Sequence, residues 1–270
     1  MKQSNLISLA KDDKLSTKTV GSKILVYEAV GSTNEVAAQL AREADFVEGQ
    51  VIITDEQTAG TGRMGRKWLS PKGKGILMSA ILTPRLNIQH LPAITAIGAL
   101  AVLDAVKEST ALPAKVRWPN DVVLDDKKIA GVLARMENVN RPSRCFILGI
   151  GFNVNLSEDD FPPDIPPATS LYICRKKPLD RLTAARTLLQ ALDRWYSVLK
   201  SGGFAAIEER LRESSSLTGR TVTVISGAET LTGKVTGISL FNGLHLTLPD
   251  ETTRVFHEST ATLVPDSGSR

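Results

Sequence analysis

Two segments concentrate residues able to do chemistry. The first, Gln57 to Gly75, contains Gly60-Thr61-Gly62-Arg63-Met64-Gly65-Arg66-Lys67-Trp68; from Gly60 to Gly75 five cations, Arg63, Arg66, Lys67, Lys72 and Lys74, stand without an acid. Glycines leave backbone N–H groups free to approach a ligand, so this composition suits a cradle for a polyphosphate or a carboxylate. The second runs Lys115-Val116-Arg117-Trp118-Pro119-Asn120-Asp121 and, after Val122-Val123-Leu124-Asp125-Asp126, continues Lys127-Lys128-Ile129-Ala130-Gly131. Trp118-Pro119 predicts an extended backbone before Asn120-Asp121. A hairpin turn at Asp125-Asp126 then brings Lys128 back beside Asp121, an ammonium beside a carboxylate. The plainer readings are a solvated basic loop and a charged surface turn.

Gly60 to Gly65 also satisfies GxGxxG. The dinucleotide reading requires a helix opening directly off the glycines and an acid about 20 residues on. The chain offers neither: it continues Arg66-Lys67-Trp68-Leu69-Ser70-Pro71, and Leu82-Thr83-Pro84-Arg85 holds no acid.

The elements that must position these segments are legible in outline. Ile24 to Tyr27 reads as a strand. Ser32-Thr33-Asn34-Glu35 reads as a capping box opening a helix to about Ala44. Val51 to Thr54 and Ile76 to Leu82 are strands on either side of the loop, and Leu91 to Glu108 is a buried helix. Short strands are predicted at Lys115 to Arg117, Val122 to Leu124, Gly131 to Glu137 and Phe146 to Asn153. The proline cluster from Phe161 to Pro167 is a loop or lid. Helices follow at Leu179 to Lys200 and Phe204 to Arg212. From Gly219 on, β-type runs separated by Ser226-Gly227, Asn242-Gly243 and Pro249-Asp250 predict a small β-barrel. Residues 1–22 are polar and predict a frayed leader or a short helix.

GSTNEVA at Gly31 to Ala37, DEQTAGTGRMGRKWLSP at Asp55 to Pro71, VRWPNDVVLDDKKIAGVL at Val116 to Leu133 and ILGIGFNVN at Ile147 to Asn155 resemble, in order and spacing, the motifs of biotin protein ligases. The resemblance implies an α/β (α+β) fold. Its catalytic domain, 23–216, has the mixed sheet of the biotin/lipoate ligase type, and a small SH3-like barrel, 217–270, follows. It also implies a two-step reaction. The carboxylate of biotin attacks the α-phosphate of ATP to give biotinyl-5′-adenylate and pyrophosphate. A lysine of a biotin carboxyl carrier domain then takes the biotinyl group. Two anions must meet in the first step, which explains the positioned cations and Mg²⁺.

Carried over position by position, Ser32, Thr33, Asn34 and Gln57 match the contacts of the biotin head group, whose ureido ring both donates and accepts hydrogen bonds. Thr61, Gly62 and Arg63 match the loop that folds over biotin and its adenylate, with Arg63 and Arg66 as carboxylate and phosphate contacts and Trp68 as a wall or anchor. Lys128 matches the lysine bridging carboxylate and α-phosphate. Asn120 and Asp121 match the pair beside the nucleotide and the acceptor lysine, Asp121 serving as base, orienter or Mg²⁺ ligand. Gly149, Gly151 and Asn153 match a strand end near the adenylate, Gly151 on the biotin side. Lys128, Arg63 and Asp121 are thus the expected catalytic residues, and Mg²⁺ is expected mainly through ATP. Thr61 and Met64 depart from the pattern, standing where some members carry arginine. The leader is too short for the winged-helix domain of some members, so no repressor role is expected; the family includes both homodimers and monomers. The loop is expected to be disordered without ligand and to order over the adenylate.

Composition agrees with a folded chain and narrows its partners: 270 residues, 42% hydrophobic and 23% charged, exclude a disordered or collagen-like polymer. A net charge of +4 is too small to predict a nucleic-acid partner, and five of the 33 basic residues sit in the one loop. Two cysteines, Cys145 and Cys174, leave room for one bridge at most and favour a reducing cytoplasm. The N-terminus has no apolar signal core, and Leu91 to Val106 is shorter than a bilayer span and interrupted by Pro92 and Asp104. Export and membrane insertion are therefore not expected. His90, His245 and His257 lack metal-ligand spacing.

Overall fold

Ile76–Leu82 is apolar apart from Ser79, a pattern that suits a strand covered on both faces. In the computed structural model, which describes residues 6–43, 45–139 and 144–264, it forms β3, buried at every position. The sheet around it comprises β1 (Ile24–Val30), β2 (Val51–Gln57), β3, β4 (Lys115–Arg117), β5 (Asp121–Leu124), β6 (Lys127–Glu137) and β7 (Cys145–Phe152), in the order β1-β2-β3-β7-β6-β5-β4. Only β1 and β2 pair in parallel. Their connection therefore needs a crossover, which α1 (Thr33–Arg42) supplies. Ser32 is its N-cap but makes no side-chain capping bond, so the predicted capping box is not formed. The helix ends at Arg42; Ala44, its predicted end, lies outside the described residues, as do Met1 to Asn5 of the leader.

One face of the sheet is covered by α2 (Leu91–Thr110), on which α4 (Arg181–Lys200) packs, with α5 (Phe204–Glu213) beside them. The apolar stretch is longer than predicted: from Ile88 to Thr110 it has the length and composition to cross a membrane, yet most of it is buried inside the fold. It is the core helix. Gly98 permits its close approach, since a Cβ there would stand 2.8 Å from Val132 Cγ1. On the opposite face, Ala37, Ala38 and Ala41 of α1 pack on Ile52, Ile81 and Ile147. The rest of that face is left to the loop from Gln57 to Gly75.

Of the two expectations for the leader, the short helix is the one found where it is described. Leu6–Lys11 form a 3-10 turn, and Leu6, Leu9 and Val20 enter the main core. The carboxylate of Asp193 on α4 accepts the backbone N–H groups of Lys18, Thr19 and Val20, each at 2.8 Å. Three scattered apolar residues carry no periodicity, which is why the sequence hides this docking. Residues 118–120 form a tight turn joining β4 to β5 in place of the expected extended segment, and the Trp118-Pro119 peptide within it is cis. A short helix that the sequence did not signal, α3 (Leu171–Arg175), follows the proline-rich loop. Cys145 and Cys174 form no disulfide, so the one possible bridge is not made.

The C-terminal residues form β8 (Thr221–Ser226), β9 (Glu229–Ser239), β10 (Gly243–Thr247), β11 (Thr253–Phe256) and β12 (Ala261–Leu263), an antiparallel sheet of order β11-β10-β9-β8-β12. It is fastened to the larger sheet by backbone. Val116 N–H donates to Ser214 O at 2.8 Å, and Ser216 N–H donates to Val116 O at 2.9 Å. Arg220 and Asp126 add an ion pair of 2.6 Å.

Candidate active site

Cross-strand register assembles the site. Gly131 on β6 faces Gly151 on β7, Leu133 faces Gly149, and β3 sets Leu77 against Gly151 and Ser79 against Gly149. With side chains alternating across a sheet, Gly131, Gly149, Gly151 and Ser79 share the α1 face. The glycines make it a floor that other groups can approach. A Cβ at Gly151 would stand 2.5 Å from Trp68 Cζ2; one at Gly131 would stand 2.9 Å from Trp68 Cζ3 and 3.0 Å from Lys128 Nζ. The indole of the basic loop therefore lies flat on these two residues. Its Nε1 is buried and has no hydrogen-bond partner among the described residues.

Lys128 arrives through the hairpin. Asp125 and Asp126, both at positive φ, form the two-residue turn between β5 and β6. The pairing shifts between Val122 and Val123, leaving Ile129 as the extra residue of a β-bulge. The bulge puts Lys128 and Gly131, three apart, on one face. Lys128 Nζ lies 2.6 Å from Asp121 Oδ1 and 5.3 Å from the centre of the Trp68 ring. Arg117 takes the other carboxylate oxygen at 3.1 Å. Both oxygens of Asp121 face cations, so the residues present do not fit a Mg²⁺ ion held by that carboxylate. No trio of His, Cys, Asp or Glu among the described residues could hold a metal.

A second, polar part lies at the start of α1. Gln57 Oε1 accepts from Thr33 N–H at 2.8 Å and from Thr33 Oγ1 at 3.0 Å. Ser79 Oγ sits 2.7 Å from Thr33 Oγ1 and 2.8 Å from Asn34 Oδ1. The Asn34 amide fills the space that a side chain at residue 149 would need, its Nδ2 standing 2.6 Å from where that Cβ would be. Ser79 is the site residue that sequence reasoning missed. The available signal was one hydroxyl in an otherwise apolar strand, since a buried hydroxyl requires partners.

Arg63 is drawn away from Lys128, towards the C-terminal sheet. Its Nη2 donates to the carbonyls of Glu258 and, at 3.3 Å, Ala261, while Nη1 reaches Asn120 Oδ1 at 3.5 Å. Burial works against its charge, and Glu258 and Asp121 favour it. Burial pushes the Glu258 carboxyl up to about 7, with Arg63 opposing. Asn120 and Asn153 are engaged inside the fold: Asn120 Nδ2 donates to Val132 O at 2.7 Å, and Asn153 Nδ2 to Thr169 O at 3.1 Å. The same strap holds Lys128, whose N–H donates to Pro167 O and whose carbonyl accepts from Thr169 N–H, both at 2.9 Å. Thr61 and Arg66 are exposed, apart from this cluster; Thr61 bridges Lys67, and Gly62 N–H is taken by Arg66 O at 2.7 Å.

The site thus consists of a floor of strand glycines, a basic loop laid over it and a lysine beside it. A model of the biotin/lipoate A/B protein ligase family matches residues 26–153. The match covers just under half of the chain. It is 34% identical over 195 residues to the "Bifunctional ligase/repressor BirA" of Bacillus subtilis, covering 72% of this chain and 60% of that one. It is 35% identical over 173 residues to the "Biotin--[acetyl-CoA-carboxylase] ligase" of Mycobacterium tuberculosis, covering 62% of each. The chain thus spans a little over half the length of these curated relatives. A solved structure of the biotin protein ligase from Aquifex aeolicus, in complex with biotin and ATP, superposes with a TM-score of 0.77 at 28% identity, over 91% of this chain and all of the other. The mixed α/β fold with its C-terminal antiparallel sheet is the fold of those ligases.

Proposed function

We propose that the chain is an ATP-dependent biotin protein ligase, and that the observation carrying this reading is Lys128, held against Asp121 beside a glycine floor. The ureido ring of biotin lies at Ser32, Thr33, Asn34, Gln57 and Ser79, and its chain runs towards Lys128 beside the glycines on which Trp68 is seated. Thr33 occupies Gln57 Oε1, which leaves the Gln57 amide NH₂ to donate to the ureido oxygen. Lys128 stands between the carboxylate and the α-phosphate and offsets their repulsion as the oxygen–phosphorus bond forms and pyrophosphate leaves. Arg63 and Arg66 swing in as further cations, and Trp68 covers the adenylate and keeps water out. Mg²⁺ carried on the phosphates of ATP would neutralise part of their charge, with Lys128, Arg63 and Arg66 supplying the rest.

In the second step the amine of the acceptor lysine attacks the biotinyl carbonyl, AMP leaves with the bonding electron pair, and the amine releases its proton. Once Lys128 turns to the substrate anions, the oxygen of Asp121 that it held is free to accept a hydrogen bond from the acceptor amine and orient it. The acceptor in this reading is a carboxyl carrier domain, in keeping with the name of the mycobacterial relative.

The test is exchange of labelled pyrophosphate into ATP with biotin, octanoate or lipoate as the acid. Biotin should support exchange and the two acyl acids should not, and Lys128→Ala should lower the rate by ~10²-fold or more. Exchange with octanoate or lipoate but not biotin overturns the reading, and full activity in Lys128→Ala overturns the role of that lysine.

A further inference from the structure

Arg181 is a charged residue in a costly place. It is the first residue of α4 and is only 4% exposed. The start of a helix carries positive partial charge, which disfavours a cation there, and a buried guanidinium persists only with good partners. Its partners belong to the loop. Nε donates to Gly75 O at 3.0 Å and Nη2 to Asp55 Oδ1 at 2.7 Å. The carbonyl of Asp55 in turn accepts Gly73 N–H at 3.0 Å. Asp55 lies on β2, two residues before the loop begins, and Gly75 immediately precedes β3. One side chain therefore joins the entry and exit of the Gln57–Gly75 segment.

The exit is the stem that sets Trp68. Gln57 secures the entry independently, through Thr33. At the exit, Lys74 O accepts Asn155 N–H at 2.8 Å, and Lys74 Nζ pairs with Asp160 at 2.5 Å. A Cβ at Gly75 would stand 2.6 Å from Ser70 Oγ and 3.1 Å from Phe152 O, so the chain doubles back on itself just where Arg181 holds it. Trp68 lies seven residues before this fulcrum and rests on Gly151, next to Phe152. A neutral, equally bulky residue would fill the same space without fixing either stem.

We infer that Arg181 is a positioning residue: it fixes the exit stem of the basic loop so that Trp68 seats on Gly131 and Gly151 and seals the adenylate. This rests on the ligase reading for its substrate but not for its geometry. Two measurements separate them. In the first, ligand-free protein is digested with trypsin, and cleavage after Arg63, Arg66 and Lys67 is timed. Arg181→Met should be cut there ~10-fold faster than wild type, with cleavage elsewhere unchanged. An unchanged loop rate overturns the proposal, whatever the substrate.

The second is a double-mutant cycle on retention of preformed biotinyl adenylate. Arg181→Met should speed its escape ~10-fold and raise the KM for ATP more than it lowers kcat for pyrophosphate exchange, because the seat on Gly131 and Gly151 itself stays open. In a Trp68→Ala background the same change should add nothing, because the residue it acts through is gone. An equal further loss in that background marks a merely structural role and overturns the proposal. If Arg181→Met does not fold, Asp55→Asn, which weakens the same tie, enters both measurements. Absence of biotin-dependent exchange in the wild type counts against the ligase reading alone, and trypsin then decides the role of Arg181.

Discussion

Adding one methyl group at Gly151 should cost activity far more than stability. The new Cβ would lie 2.5 Å from Trp68 Cζ2 and 2.7 Å from Nε1, where ordinary contact begins at 3.4 Å. The β7 backbone is paired with β3 on one side and β6 on the other and cannot retreat. The indole must therefore lift by about 1 Å, as a loop side chain can and a packed core cannot. The fold loses little more than the contact of the ring with Lys128 and the floor, about 1 kcal/mol. A displacement of that size at a reacting site is worth about 100-fold in rate. Gly98→Ala is the control. Its Cβ would meet Val132 Cγ1 at 2.8 Å and Leu148 Cδ1 at 3.1 Å inside the rigid core, so it should cost ~1–3 kcal/mol of stability and leave the rate of folded enzyme unchanged. Thermal melting and biotin-dependent pyrophosphate exchange, run on both variants, give the comparison. Exchange by Gly151→Ala within threefold of wild type would refute the reasoning, as would a melting loss equal to that of Gly98→Ala.

Three further outcomes are expected. Proteolysis within Gln57–Gly75 should slow ~10-fold when biotin and ATP are both present, since bound anions relieve the repulsion among its cations; equal cleavage with and without them rejects loop ordering. Glu258→Gln should gain stability relative to wild type as pH rises. Below about 4.5 the carboxyl is protonated both folded and unfolded, whereas between 4.5 and about 7 only the folded protein keeps the proton, so wild-type stability falls across that window and levels off above it. At about 1.4 kcal/mol per pH unit the gain approaches ~3 kcal/mol at pH 8, and a melting difference independent of pH rules this out. Asp193→Ala should strand the N–H groups of Lys18, Thr19 and Val20 and destabilise by ~3 kcal/mol, with amide exchange accelerated at those residues; unchanged protection there contradicts the assignment.

The sequence was most informative where local chemistry dictates structure. Asp125-Asp126 reads as a turn because acidic side chains tolerate positive φ, and that turn alone is enough to place Lys128 beside Asp121. The apolar run of β3 and the glycines of the basic loop are legible for similar reasons. Non-local contacts were not. The alternation that marks a strand starts only at Gly131, whereas β6 starts at Lys127, because a bulge at Ile129 breaks the pattern between them. The docking of the leader depends on Asp193, more than 170 residues away. Ser32 has the residue type of a cap without the bond, Arg63 reaches a turn of the C-terminal sheet, and Arg181 looks from sequence like any helix-surface arginine. In each case the deciding partner is distant in the chain, and residue type is silent about it.

The backbone bonds between Val116 and Ser214–Ser216 bear on solubility. β4 ends the large sheet, and an end strand offers unpaired N–H and C=O groups to any passing strand. Here the chain occupies that edge itself, just before the C-terminal sheet begins. Cutting the chain ahead of Ser214 would leave β4 as a template for pairing between molecules. Loss of the C-terminal part should therefore be read first as a risk of aggregation, and only then as a loss of activity.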